Sequence, residues 1–137
     1  MTNPNVDALK QAYALWGETK GGSVDHWLSM MSDDIRFHSL GGGAQPMEFT
    51  RDRDCRSEVK GYLEGLMAEW EMVDFTASEF IADGDRVVMV GHVTFRHRKT
   101  GKTVESPKAD VWRFRDGKAV EFMEFFDTAK AFAGAQP

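Results

Sequence analysis

The chain has 137 residues, of which 42% are hydrophobic and 28% charged, a length and balance that predict one compact domain over 1–137. Its 17 basic and 22 acidic side chains give a net charge of −5, which argues against a nucleic-acid partner because phosphate-binding surfaces are basic. With one cysteine, no secretory signal pattern and no apolar run near the ~20 residues of a membrane span, we expect a cytoplasmic protein with no membrane partner.

The first half of the chain shows the apolar spacing of amphipathic helices. Asn3 is a suitable N-cap for the first of them, and Pro4 suits its first position. The predicted elements of this half are a helix over 4–19, a short helix capped by Ser23, a strand over 35–38, a loop over 41–50 and a helix over 52–70.

The second half is rich in β-branched and aromatic residues. Asp-Gly and Thr-Gly pairs punctuate it, and such pairs are typical of hairpin turns. The predicted strands cover 72–81, 86–98, 103–115 and 118–127. Helices followed by strands indicate an α+β fold with an antiparallel meander. Residues 128–137 are predicted to be a frayed tail or a partner-facing segment.

Side-chain alternation in the last two strands predicts which polar residues share a face with buried rings. In 103–115 Asp110 shares the even positions with Trp112 and Phe114, while Arg113 and Arg115 fall on odd positions. In 118–127 Glu124 lies among the apolar even positions Val120, Phe122 and Phe126. Asp110 and Glu124 are therefore both expected to point inward.

The loop between these strands decides whether the two even faces coincide, because a one-residue slip reverses every side chain. A two-residue turn at Asp116-Gly117 would place Asp110 with the odd residues of the last strand. A three-residue loop over 115–117 places it with the even ones, with Glu124 as its diagonal neighbour about 7 Å away. The hydrophobic pattern favours the three-residue loop. Two carboxyls would then share one apolar concavity.

The strand over 86–98 adds a further prediction about this face. Its odd positions are the more apolar, and a two-residue turn at Thr100-Gly101 would place Gly91 opposite Asp110. A three-residue loop would instead bring His92 inward.

An inward aspartate has two interpretations. It can be a core carboxyl satisfied by backbone amides or by the nearby Lys108. Alternatively, surrounding rings raise the pKa of Asp110 by desolvation, and the close Glu124 raises one pKa of the pair further. That second arrangement makes a carboxylic acid available as a proton donor near neutral pH.

The order of elements and three segments resemble a known family. The segments are SDDIRFHSLGG at 32–42, DVWRF at 110–114 and GKAVEFMEFFD at 117–127. They are similar to the ketosteroid isomerase and SnoaL-like branch of the nuclear transport factor 2-like superfamily. The resemblance implies three N-terminal helices packed on a curved antiparallel sheet, a cone-shaped apolar pocket and, often, a homodimer. An outer sheet face carrying Val111, Met123 and Phe125 would be the surface that a second copy covers.

The resemblance also implies site residues. Asp110 matches the strand aspartate of the isomerases, and Tyr13 falls close to their first-helix tyrosine. Ser39 stands where the isomerase base would be, with His38 beside it. The SnoaL-like cyclases and limonene epoxide hydrolases carry an acidic residue on the same strand, and Glu124 resembles the second strand-borne acid of the hydrolases.

These residues together predict a small-molecule enzyme that acts by proton transfer on an apolar, carbonyl-bearing or cyclic substrate. Asp110 is the expected acid/base, His38 or Glu124 the second proton partner, and Tyr13 the hydrogen-bond donor to a developing oxyanion. The expected pocket walls are Trp16, Trp112, Phe122 and Phe126. The alternative is a non-catalytic ligand-binding or dimerisation domain. No metal-ligand spacing or phosphate-binding glycine loop is present, so we assign no metal and no cofactor.

Overall fold

The computed structural model describes residues 3–137 and confirms the predicted α+β class. Four helices and one 3₁₀ turn surround a single five-stranded sheet. The elements are α1 (Pro4–Glu18), α2 (Val24–Ser29), β1 (Met31–Ser39), the 3₁₀ turn (Glu48–Thr50), α3 (Arg56–Glu69), β2 (Trp70–Asp83), β3 (Arg86–His97), β4 (Thr103–Arg115), β5 (Lys118–Phe126) and α4 (Thr128–Gly134). Within residues 3–137, no helix combines the length and the apolarity needed to cross a membrane.

Helix α1 begins as its sequence indicates. The side-chain oxygen of Asn3 accepts hydrogen bonds from the backbone N–H groups of Asn5 and Val6, at 2.9 and 3.3 Å, and Pro4 occupies the first helical position. The predicted apolar stripe faces the core. Its buried members are Leu9, Ala12, Tyr13 and Trp16.

Helix α3 begins four residues later than predicted, after Cys55. The cause is a short bridge between backbones: Phe37 and Arg53 exchange two N–H···O hydrogen bonds of 2.7 and 2.9 Å. This bridge holds the chain near Arg53 extended, so the helix starts only beyond it. The C-terminal end also differs, because Trp70 is already the first residue of β2.

The sheet has the order β1-β5-β4-β3-β2. Strands β2 to β5 form the predicted antiparallel meander, whereas β1 pairs in parallel with β5, so the sheet is mixed. Strand β2 carries two register shifts, between Met72 and Asp74 and between Ala77 and Glu79, and such bulges bend a strand and increase its twist. Helices α1 and α3 pack against this curved sheet and enclose the core.

The predicted three-residue loop between β4 and β5 is wrong. Arg115 pairs with Lys118 across a two-residue turn, in which Asp116 and Gly117 both have positive φ, 52° and 79°. A register shift beside Phe114, where β5 has one extra residue, reverses the side-chain alternation that the two-residue turn alone would give. The even faces of the two strands therefore coincide as expected.

The β3–β4 connection also differs from both predicted turns. Arg96 pairs with Thr103, with the backbone hydrogen bond from His97 to Lys102 closing the loop beyond them. Met89 is therefore the residue opposite Asp110, and Gly91 lies opposite Lys108. The odd face of β3 is the inward one as predicted, with His92 exposed on the other.

The predicted C-terminal tail is a helix, α4. The Asp127 side chain caps it by accepting a hydrogen bond of 3.0 Å from the backbone N–H of Lys130. Ala131 and Gly134 are buried against the sheet. The small side chains of this segment let it lie close to the strands.

Candidate active site

A cavity of about 120 Å³ lies between the helices and the concave face of the sheet. Aromatic and aliphatic side chains form most of its wall. The predicted wall residues Trp16, Trp112, Phe122 and Phe126 all line it. The rings also pack on one another, with Trp112 stacked on Trp27 at a centroid distance of 5.4 Å.

Polar side chains from α1 and β4 form the first part of a hydrogen-bonded cluster in the cavity wall. The Tyr13 hydroxyl donates to Asp110 Oδ2 at 2.6 Å and accepts from Trp112 Nε1 at 2.9 Å. All three side chains are buried. Asp110 and Trp112 are two residues apart on β4 and so share a face, above which α1 presents the tyrosine.

Lys108 joins the two carboxyls. Its Nζ lies 2.9 Å from Asp110 Oδ1 and 2.5 Å from Glu124 Oε2, and its side chain is only 10% exposed. The register explains this arrangement, since Asp110 and Glu124 are directly opposite each other and Lys108 precedes Asp110 by two residues. The carboxyls are thus closer neighbours than the predicted diagonal.

Glu124 is held from two further elements. The Tyr62 hydroxyl on α3 donates to Glu124 Oε1, and Ser39 on β1 lies opposite Glu124 in the sheet. Burial raises the pKa of Glu124 to about 7, while the hydrogen bond with Ser39 acts in the lowering direction. Glu124 is therefore poised to gain and lose a proton near neutral pH.

Burial is the cause of this raised pKa, because an apolar cavity disfavours the charged carboxylate of Glu124 relative to the neutral acid. Lys108 has three N–H donors, and one of them donates to Glu124 Oε2, while Asp110 Oδ1 forms an ion pair with Nζ without accepting a hydrogen bond. A third N–H is available to an acceptor in the cavity.

Asp110 and Tyr13, the predicted acid/base and oxyanion donor, contact each other in the cavity wall. Asp110 Oδ2 accepts the hydrogen bond from Tyr13, whereas Oδ1 lies 2.9 Å from Lys108 Nζ in an ion pair and accepts no hydrogen bond. Burial, followed by the negative charge of Asp110, raises the pKa of Tyr13 well above its usual value. The phenol keeps its only proton and directs it to Asp110. Asp110 therefore lies between Tyr13 and Lys108, and the Tyr13 hydrogen is directed to Asp110.

His38 does not reach the cavity. It follows Phe37, which faces inward, and its own ring points to the other side of β1, where Nε2 lies 3.1 Å from Asp54 Oδ1. Its side chain is 36% exposed. Of the two proton partners that the sequence left open, only Glu124 lies beside Lys108 and Asp110.

The sequence did not point to Tyr62 as a site residue. Its position on the apolar stripe of α3 made it look like one more core residue, and only the packing of α3 over β1 brings its hydroxyl to Glu124. A phenol on an otherwise apolar inward stripe is the signal that could have found it, since a buried hydroxyl requires a partner.

A metal centre finds no support in this arrangement. Within the described part of the chain, no three His, Cys, Asp or Glu side chains are placed to hold a metal ion. The position between the two carboxyls is filled by the Lys108 ammonium group.

Comparison with known proteins identifies a family and solved structures with the same fold. The family model of the SnoaL-like domain matches residues 9–122. A nuclear transport factor 2-like protein of unknown function from Burkholderia pseudomallei is 22% identical, with a TM-score of 0.87 over 99% of this chain and 100% of that one. No curated protein matches the sequence.

Two other solved structures share the fold and were determined with small molecules. TerC, co-crystallised with polyporic acid, is 24% identical, with a TM-score of 0.83 over 98% of this chain and 100% of its own. A protein with a ketosteroid isomerase-like fold from Catenulispora acidiphila, in complex with trimethylamine, is 14% identical, with a TM-score of 0.74 over 98% and 94% of the two chains.

Proposed function

The chain belongs to the SnoaL-like domain family, and we propose that it is a small-molecule enzyme that moves protons on an apolar, carbonyl-bearing or cyclic substrate. Isomerase, cyclase and hydrolase reactions are all of this type. The observation that carries the proposal is the Lys108 ammonium group held between Asp110 and Glu124 in the wall of an apolar cavity. A charged cluster in such a place costs stability, which favours a functional role for it.

Glu124 is the proposed acid/base. A group with a pKa of about 7 is present in both protonation states near neutral pH, which is the condition for taking a proton at one atom and returning it at another. Glu124 as carboxylate would remove a hydrogen from the carbon beside a carbonyl group. As carboxylic acid it would then deliver the proton to the product carbon or oxygen.

Lys108 is the proposed partner of the substrate oxygen. Its third N–H would donate to the carbonyl oxygen and stabilise the negative charge that develops there when the carbon loses its proton. Asp110, supported by Tyr13 and Trp112, acts as a positioning residue for Lys108. The dry surroundings strengthen these electrostatic interactions compared with water.

The relatives support a small-molecule ligand of this cavity in general terms. TerC was crystallised with polyporic acid and the C. acidiphila protein with trimethylamine. The aromatic wall of the present cavity suits ring-containing or otherwise apolar ligands, which bury their surface against Trp and Phe side chains.

The second candidate is a non-catalytic binding domain. The hydrogen bond from Tyr13 to Asp110 and the ion pair of Asp110 with Lys108 favour it, because a buried carboxyl paired in this way can be a structural element. A protein of this kind would bind the same ligands without changing them.

A ligand screen distinguishes the two candidates. The screen measures the melting temperature with cyclohexanone, a γ-lactone, a cyclohexene epoxide and a steroid ketone, and NMR then follows each stabilising compound for turnover. The expected result is binding with turnover in the wild type, and binding with turnover lost in Glu124→Gln. Asp110→Asn is expected to weaken turnover by loosening Lys108. Turnover that survives Glu124→Gln unchanged would remove Glu124 from the chemistry, and binding with no turnover would establish the binding domain.

A further inference from the structure

We propose that Lys108 forms a reversible imine with carbonyl ligands of the cavity, so that it acts as a nucleophile as well as a hydrogen-bond donor. This inference rests on the proposed function for its ligand class. It goes beyond that function in assigning a covalent step to one atom, Lys108 Nζ.

The first observation is where Nζ lies. It belongs to a side chain that lines the cavity and is 10% exposed, with the Phe122 ring centroid 5.9 Å away. A carbonyl carbon of a bound ligand can come close to it without crossing bulk water. Lysines at the surface are solvated, whereas this side chain is nearly buried in a mostly apolar cavity, and low access of water to such a site disfavours reversal of imine formation.

The second observation is the proton acceptor in contact with Nζ. An amine attacks only when it has lost its extra proton, and Glu124 Oε2 is 2.5 Å away to receive it. Because burial raises the pKa of Glu124, this carboxylate is a better base than an exposed one. The proton can therefore pass over a short distance from Lys108 Nζ to Glu124 Oε2 and back.

Imine formation proceeds by proton transfers between Lys108 and Glu124. Lys108 passes a proton to Glu124, and the nitrogen lone pair forms a bond to the carbonyl carbon while the C=O π pair moves to oxygen. Glu124 returns the proton to that oxygen, giving a carbinolamine that is still protonated on nitrogen. A second proton moves from nitrogen through Glu124 to the hydroxyl group, the C–O bond breaks, and one water leaves as the C=N bond forms. The products are a protonated imine, water and the original Glu124 carboxylate.

The third observation is the charge around the product. The protonated imine carries its positive charge on the same nitrogen that carried the ammonium charge, and Asp110 and Glu124 both remain beside it. Its single N–H can be donated to Asp110 Oδ1, which lies 2.9 Å from Nζ. The cluster thus compensates the imine without creating a new buried charge.

Reductive trapping tests the inference. The protein is incubated with cyclohexanone and sodium cyanoborohydride, and peptide mass spectrometry locates the cyclohexyl adducts. The expected result is a Lys108 adduct formed on the order of 100-fold faster than adducts on the exposed Lys102 and Lys118, the scale that a positioned proton acceptor supplies. Labelling confined to exposed lysines would overturn the inference.

Two matched variants separate this inference from the proposed function. Lys108→Arg keeps a charged N–H donor and removes the nucleophile, whereas Lys102→Arg makes the same change at an exposed position. The first should abolish the adduct at position 108 and the second should leave the Lys108 adduct unchanged, with circular dichroism checking the fold of both. If Lys108 is unlabelled in the wild type while cyclohexanone still exchanges its α-hydrogens, the imine is excluded and the proposed function stands.

Discussion

Burial raises the pKa of Glu124 in the folded protein, and this shift predicts how the free energy of unfolding depends on pH. Its pKa is raised to about 7 in the folded protein from 4.5. As pH rises from 4.5 through 7, the unfolded chain loses this proton while the folded protein retains it. The free energy of unfolding therefore falls over that window, by about 3 kcal/mol for this group.

Urea unfolding at several pH values between 4.5 and 8 measures this effect. Glu124→Gln cannot titrate, so its stability relative to wild type is expected to increase by about 3 kcal/mol across the same window. Glu105→Gln, at an exposed position on β4, should follow the wild type throughout. Parallel pH profiles for the wild type and Glu124→Gln would show that Glu124 titrates normally in the folded state.

Residue alternation was enough to predict that Asp110 and Glu124 share an inward face with Trp112 and Phe122. It could not predict what covers them, because Tyr62 and Ser39 arrive from elements far away in the chain. Alternation also could not predict which way the His38 side chain points, because that depends on how β1 pairs with the rest of the sheet.

Helix α4 gives a prediction at the level of one element. Gly134 lies where an added Cβ would be 2.4 Å from Val104 Cγ2 and 3.2 Å from Trp70 Cη2. Gly134→Ala should therefore lower the melting temperature, although alanine is intrinsically better than glycine in a helix by about 1 kcal/mol. Ala133 is the exposed neighbour, and Ala133→Gly should show only the propensity effect, a loss of up to about 1 kcal/mol.

Thermal unfolding of these two variants tests whether α4 packs closely on β2 and β4. A higher melting temperature for Gly134→Ala would show that it does not.

The elements were predicted best where local pattern determines them. The bounds of β4 agree with the structure at both ends, and the cap of α1 is the one expected. The loops were predicted less well, because alternation fixes which face a residue takes but not how the register is achieved. In the β4–β5 hairpin, a two-residue turn and a bulge together place Asp110 and Glu124 on the same face, which a three-residue loop would do alone.

At the scale of the whole molecule, the outer face of the sheet predicts self-association. Paired strands bring apolar side chains together there, and Phe125 is 41% exposed. The patch consists of Val88, Val90, Ala109, Val111, Met123 and Phe125. We propose that a second copy of the chain covers it, as the family resemblance implies.

Sedimentation across a range of concentrations measures this association. Phe125→Lys is expected to shift the protein toward monomer, since it places a charge within the covered patch. Leu40→Lys changes a side chain with similar exposure, 46%, in the loop after β1, and is expected to leave association unchanged. A wild type that is monomeric at all concentrations would exclude the dimer.

Hydrogen exchange directly measures the proposed transfer of protons by Glu124 on a ligand held in the cavity. Cyclohexanone in D₂O is incubated with the protein, and proton NMR follows the loss of its α-hydrogens as a function of pH. The wild type should accelerate exchange, with a rate that rises as pH passes about 7 and the carboxylate forms. Glu124→Gln should lose about 100-fold of that rate, and Glu105→Gln should lose none. A Glu124→Gln variant with the wild-type rate and pH profile would show that Glu124 does not transfer these protons.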